Sequence, residues 1–196
     1  VFLASRAAYT RVYSLYERQW KQLSAKVVHK NPWYTVRHDR VTTPEQTEGE
    51  YFVVDTPPCV VIIALDKQRR VTLVRVHRYA TDRMSLEVPG GSVDTGENPL
   101  QAAKRELWEE TGLSAKKWKK LGTIQSANGL LSEVTHIFLA TGLTQTGKNK
   151  QEADGITEMK ILPLSKTSDM ILKGAITDSQ AISALTLASL NLRKRR

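Results

Sequence analysis

A chain of 196 residues, 40% hydrophobic and 25% charged, is long enough for one sizeable core with an appendage beside it. Its single cysteine, Cys59, excludes an internal disulfide and a cysteine-rich zinc site, and no apolar run reaches the roughly 20 residues of a membrane-crossing helix. The formal charge of +9 sits at the ends: residues 1–40 hold eight Lys or Arg against Glu17 and Asp39, and Arg193-Lys194-Arg195-Arg196 closes the chain, so the excess marks solvated termini rather than a central nucleic-acid surface.

Residues 1–17 are Arg-bearing and acid-poor until Glu17, which suits an amphipathic helix or appendage and leaves organelle targeting open. Residues 34–37, 51–54 and 60–65 read as strands, with Pro57-Pro58 dividing the second from the third. Trp20, Trp33 and Tyr34 read first as core aromatics, and Cys59, before Val60-Val61-Ile62-Ile63, as a core thiol. Asp66-Lys67-Gln68-Arg69 is a hairpin turn into a strand at 71–76, and a short strand at 85–88 is closed by Pro89. Strands follow at 117–125, 134–140 and 156–162, with a polar loop between the last two. Residues 165–173 and 178–192 form closing helices, the second capped by Asp178. Many strands and few helices predict an α+β fold.

Between these strands lies an acidic stretch. Asn98-Pro99 starts a helix and Gly112 stops it, so the helix spans Pro99–Thr111. Leu100, Ala103, Leu107 and Thr111 form its apolar stripe. Ala102, Glu106, Glu109 and Glu110 share a neighbouring face, where like charges one turn apart oppose each other. Arg105, four residues before Glu109, offsets only part of that charge. Hard divalent cations bind carboxylate and carbonyl oxygens, and Gly90-Gly91 lets a backbone carbonyl approach one. By itself the cluster divides between a solvated acidic face and a cation site.

The spacing decides between them. Gly91, Glu97, Arg105, Glu106, Leu107, Glu109, Glu110, Gly112 and Leu113 fill every fixed position of the pattern Gly-x5-Glu-x7-Arg-Glu-(apolar)-x-Glu-Glu-x-Gly-(apolar). This resembles the Nudix box. The resemblance implies a Nudix fold, a mixed β-sheet between helices, here with an N-terminal strand extension. It also implies hydrolysis of nucleoside diphosphate-linked compounds with Mg²⁺ or Mn²⁺. It makes Glu106 and Glu110 direct metal ligands, Glu109 a direct or water-mediated one, and the Gly90 carbonyl a further ligand. Glu97 and Arg105 become the brace between loop and helix, with Gly91 and Gly112 as structural glycines. Residues 1–17 are then an appendage, residues 18–56 a strand subdomain for dimerisation, and residues 57–196 the hydrolase domain.

Beyond the box, "LVRVHRYATDRMSLEVPGG" and "GAITDSQAISAL" resemble the ADP-ribose and nucleotide-sugar pyrophosphatase branch, although Val76 and His77 depart from it. That branch commonly forms homodimers and takes its base from an acidic loop before the last core strand. Glu152 is the favoured base, with Asp154 and Glu158 beside it. Arg78, Glu87 and Glu133 are candidate substrate contacts, Arg78 because a guanidinium fits phosphate oxygens. Ser126-Ala127-Asn128-Gly129 lacks the proline usual for ADP-ribose hydrolases, which leaves nucleotide sugars open. The expected partner is a small nucleoside diphosphate derivative, with neither membrane nor nucleic acid, in a cytoplasmic setting. The alternatives are a non-catalytic nucleotide sensor, which the intact acids argue against, and an RNA 5′-end hydrolase, for which no aromatic–basic platform is present.

Overall fold

The computed structural model describes residues 19–147 and 155–193; the expected appendage at 1–17 lies outside them. The described residues fall into two units: residues 19–56 with 129–132, and the remainder from 57 onward. The first unit is an antiparallel sheet of β1 (Lys21–Lys30), β2 (Thr35–Thr42) and β3 (Glu48–Asp55), in that order. Asn31 makes the first turn, its side-chain oxygen accepting from the Trp33 and Tyr34 amides at 2.9 Å each. Asp39, nearly buried, is held by Arg37 at 2.7 Å and by Gln22 at 2.8 Å, and Arg37 also reaches Asp55 at 2.6 Å. That satisfaction is what permits a carboxylate there. The 129–132 segment adds to β3 by a parallel bridge, with Tyr51 Oη donating to the Gly129 carbonyl at 2.7 Å.

Hydrophobic patterning does not announce β1. All ten of its residues are exposed, so it shows no alternation between core and solvent, and two register shifts break its period. The aromatics expected in a core are at the surface instead: Trp33 is 74% exposed, and Trp20 meets only the edge of Tyr51 among the ring contacts described.

The second unit is a mixed seven-stranded sheet between helices, as the fold class predicts. Its strands are β4 (Cys59–Leu65), β5 (Arg70–Arg78), β6 (Arg83–Glu87), β7 (Gly90–Ser92), β8 (Leu113–Ile124), β9 (Thr135–Gln145) and β10 (Ile156–Pro163). The main path is β10-β5-β4-β9-β8, parallel only between β4 and β9. Successive β4 residues serve opposite faces. Val60, Ile62 and Ala64 pack on α1 (Pro99–Thr111), while Val61, Ile63 and Leu65 pack on α2 (Leu164–Leu172) and α3 (Ser179–Arg193). β4 is therefore apolar throughout, as a strand covered on both faces requires.

β4 and β5 share one ladder pair, Leu65 with Val71, and then separate. The wedge between them is filled by one continuous segment. β6 pairs with β5, β7 pairs with β4, and the Pro89 carbonyl between them accepts from the Ile62 amide at 2.8 Å. This fork places Glu87, Gly90 and Gly91 beside α1.

Candidate active site

The helix end that faces the fork is set by local sequence. Asn98 accepts from the amides of Leu100 and Gln101 at 3.0 Å each, and Gln101 accepts from the Asn98 amide at 2.8 Å, a reciprocal capping box. Pro99 opens the helix, and Gly112, at φ 68°, closes it. Ala102, Ala103, Leu107 and Thr111 bury the inner face; Ala102 joins the expected stripe, and Leu100 is only partly buried.

Arg105 ties the loop to the helix. Its Nε and Nη2 donate to both carboxylate oxygens of Glu97 at 3.1 and 3.0 Å. Nη2 also donates to the Ser92 carbonyl at 2.9 Å, while Nη1 donates to Glu106 at 2.7 Å and Glu109 at 3.1 Å. Asp94 lies 3.6 Å away. The hydrogen bonds from Arg105 hold the Glu97 carboxyl below the usual carboxylate range, and Glu97 in turn contributes most to raising Arg105. The guanidinium stays charged at any pH at which the protein is folded.

Close approach explains both glycines. A Cβ on Gly90 would lie 2.3 Å from the Val60 carbonyl oxygen, and one on Gly91 2.3 Å from a Glu106 carboxylate oxygen. The Gly90 amide donates to Glu110 at 3.0 Å. Gly90, Gly91, Glu106 and Glu110 therefore converge on one cleft of about 270 Å³, walled by Val74, Val76 and Ile156 and reached by Arg78 and Glu87. Glu109 sits on the Arg105 side.

Arg78 and Glu87 form a bidentate pair across β5 and β6, with Nε–Oε1 at 2.9 Å. Glu87 is nearly buried, and its hydrogen bond raises Arg78. Burial, reinforced by Glu87, pushes the Asp178 carboxyl up. Asp178 caps α3 as expected, accepting from the Ala181 amide at 2.6 Å.

Glu133 lies in a polar network that the linear sequence does not reveal. Its Oε1 accepts from Ser126 at 2.7 Å, Gln180 at 2.9 Å and Thr135 at 3.0 Å. Its Oε2 faces the Cys59 thiol at 3.4 Å. Burial first, and then this carboxylate, push the thiol up to about 12, so it is no nucleophile. Cys59 is half-buried rather than a core residue. The four partners are spread from position 59 to 180, which is why spacing carries no signal of them. Among the acids near β10, Glu158 faces Arg75 at 3.0 Å and Lys160 at 3.6 Å. Glu152 and Asp154 lie outside the described residues.

The chain is similar to known proteins in sequence and in fold. The family model described as NUDIX domain matches residues 55–185, and that of the nucleoside diphosphate sugar hydrolase N-terminal domain matches residues 20–54. An ADP-ribose pyrophosphatase of Mycobacterium tuberculosis is 31% identical over 86% of this chain and 83% of its own. A CMP-5′-(N-acetyl-N-hydroxy-3-aminopropyl)phosphonate hydrolase of Streptomyces rubellomurinus is 30% identical over 88% and 84%. The solved structure of an ADP compounds hydrolase superposes with a TM-score of 0.80 at 22% identity, covering 90% of this chain and 96% of that one. At that identity the likeness concerns the fold.

Proposed function

The chain belongs to the Nudix family, and from that premise we propose that it is a divalent-metal-dependent pyrophosphatase acting on a nucleoside diphosphate linked to a second group. ADP-ribose or a nucleotide sugar is the substrate, and a nucleoside monophosphate and a sugar phosphate are the products. The observation that carries this reading is the convergence of α1 carboxylates and the Gly90 backbone on one cleft that Arg78 also lines.

The donor types suit a hard cation, all of them oxygen: Glu106, Glu110 and Gly90 line the cleft, Glu109 lies toward Arg105, and Gly91 leaves Glu106 the space that a Cβ would take. The described residues do not yet gather three such side chains around one point, so holding an ion would draw Glu109 in. Magnesium, or manganese in its place, would be held by these oxygens and would supply charge neutralisation at the diphosphate and a more acidic water. The protein's own contribution is positional. Arg105 fixes the carboxylates of Glu106 and Glu109 from the side, so they need not reorganise when charge develops. Arg78, already oriented by Glu87, keeps further N–H donors for a phosphate oxygen. Glu133 is engaged by Ser126, Thr135 and Gln180, none of which lines the cleft, so we assign it to bracing that network rather than to contacting substrate.

We assign proton removal from the attacking water to Glu152, whose segment leads into Ile156 on the cleft wall. A panel of nucleoside diphosphate compounds with product identification tests the substrate class. Glu152→Gln tests the base: it should lower kcat by at least about 100-fold, within the range of general acid–base catalysis, with little change in metal affinity. Normal turnover in Glu152→Gln, with a severe loss in Glu158→Gln or Asp154→Asn, would reassign the base.

A further inference from the structure

We propose that a second cavity, at the other end of β5 from the cleft, binds a small phosphorylated anion through Arg69 and Arg193. The cavity measures about 450 Å³ and lies where the β4–β5 turn meets the start of α2 and the end of α3. Gln68, Arg69, Ser165, Ser168, Ser189 and Arg193 are its polar lining. Among the described residues its only charged groups are the two arginines, and no carboxylate side chain lines it. Neither arginine has an ion-pair partner among the described residues; the nearby acid, Asp66, is bound by Arg70 at 2.7 Å.

Guanidinia match phosphate oxygens in geometry as well as charge, and serine hydroxyls donate to the same oxygens. The start of α2 adds to this field. It has no side-chain cap and no acid in its first turn, and Leu164 and Ser165 of that turn line the cavity. The Leu164 amide donates to the Arg69 carbonyl at 3.0 Å, so the helix start adds only the positive end of its dipole at the wall.

Arg69 is held in the β4–β5 turn. Its φ is +58°, in a turn where its amide donates to the Asp66 carbonyl at 3.1 Å. Glycine relaxes such a position, whereas a side chain bearing a Cβ is strained in it. The hairpin turn itself asks for that conformation, and it turns the Arg69 carbonyl to accept from the Leu164 amide, so the backbone on which this side chain stands is fixed at the cavity wall.

The two sites are well separated. Arg70 at one end of β5 pairs with Pro163, and Val76 near the other pairs with Ile156 of the cleft. Eight steps of about 3.3 Å place the ends of β5 roughly 26 Å apart. The proposal does not rest on the hydrolase reading, and its test needs no turnover.

The test titrates inorganic phosphate, and separately ribose 5-phosphate, into the metal-free chain and follows backbone amide resonances. Saturable shifts are expected at Gln68, Arg69, Ser165 and Ser168, with a dissociation constant of about 1 mM or tighter. Tighter binding of ribose 5-phosphate identifies a phosphomonoester as the ligand, and equal binding identifies the free anion. Arg69→Ala combined with Arg193→Ala should weaken binding at least about tenfold. Arg69→Gly should bind as weakly as Arg69→Ala yet melt at a higher temperature, because the strain is relieved; loss of binding in a more stable protein is not unfolding. Shifts that fail to saturate, or survive the double substitution, overturn the proposal. So do shifts lost in Glu110→Gln, which would belong to the cleft.

Discussion

Arg105 organises more of the site than its single position in the motif suggests. It joins the loop acid Glu97 to the helix acids Glu106 and Glu109, and so converts a repulsive face into a fixed one. The sign of its pH dependence follows from Glu97. A folded-state pKa below the unfolded value of about 4.3 means that the contribution is complete above that pH and is lost as the pH falls through the folded value. Glu97→Gln should therefore melt below wild type at pH 7, and the gap should close as acidification carries the pH below that folded value. A gap unchanged across that range would show that the carboxylate charge is not its source. This cluster is legible in the chain itself, because its residue types recur at fixed spacing along one loop and one helix. The partners of Glu133 are not legible there, because Cys59, Ser126, Thr135 and Gln180 meet only through the sheet and α3.

Among the elements, α1 is fully legible because both of its ends carry their own signals. Asn98→Ala removes an acceptor for two amides and should cost about 1 kcal/mol in denaturant unfolding. A loss well under half of that would mean that Pro99 and Gln101 suffice to start the helix. Strands are legible where β-branched residues are buried and illegible where pairing alone sustains them. β8 begins at Leu113, four residues before its sequence signal, because Ser114 and Ala115 pair with Thr144 and Leu143 in a stretch that reads as loop. The same ladder carries β9 to Gln145, past Gly142 at φ 70°. β1 is the extreme case, hydrogen-bonded to β2 and exposed along its whole length.

For the whole molecule, that exposure bears on assembly. Leu23, Val27 and Val28 of β1, with Trp33 and Phe52, present apolar surface that water covers only at a cost. We propose that a second copy covers it, through residues 20–55. Light scattering at micromolar concentration should give a dimer, and Val27→Glu should shift it toward monomer; a fully active monomeric wild type would contradict this. No helix among the described residues is long and apolar enough to cross a membrane. Assembly and anion binding both stand apart from the central claim, that the α1 carboxylates run metal-dependent diphosphate hydrolysis. The most direct measurement is steady-state turnover of ADP-ribose and a nucleotide sugar in saturating Mg²⁺, wild type against Glu110→Gln, with products identified by phosphorus NMR. The account predicts two phosphomonoesters from the wild type, none without divalent metal, and a kcat at least about 100-fold lower in Glu110→Gln. Near-normal turnover by Glu110→Gln, or wild-type hydrolysis that persists under chelation, would contradict it.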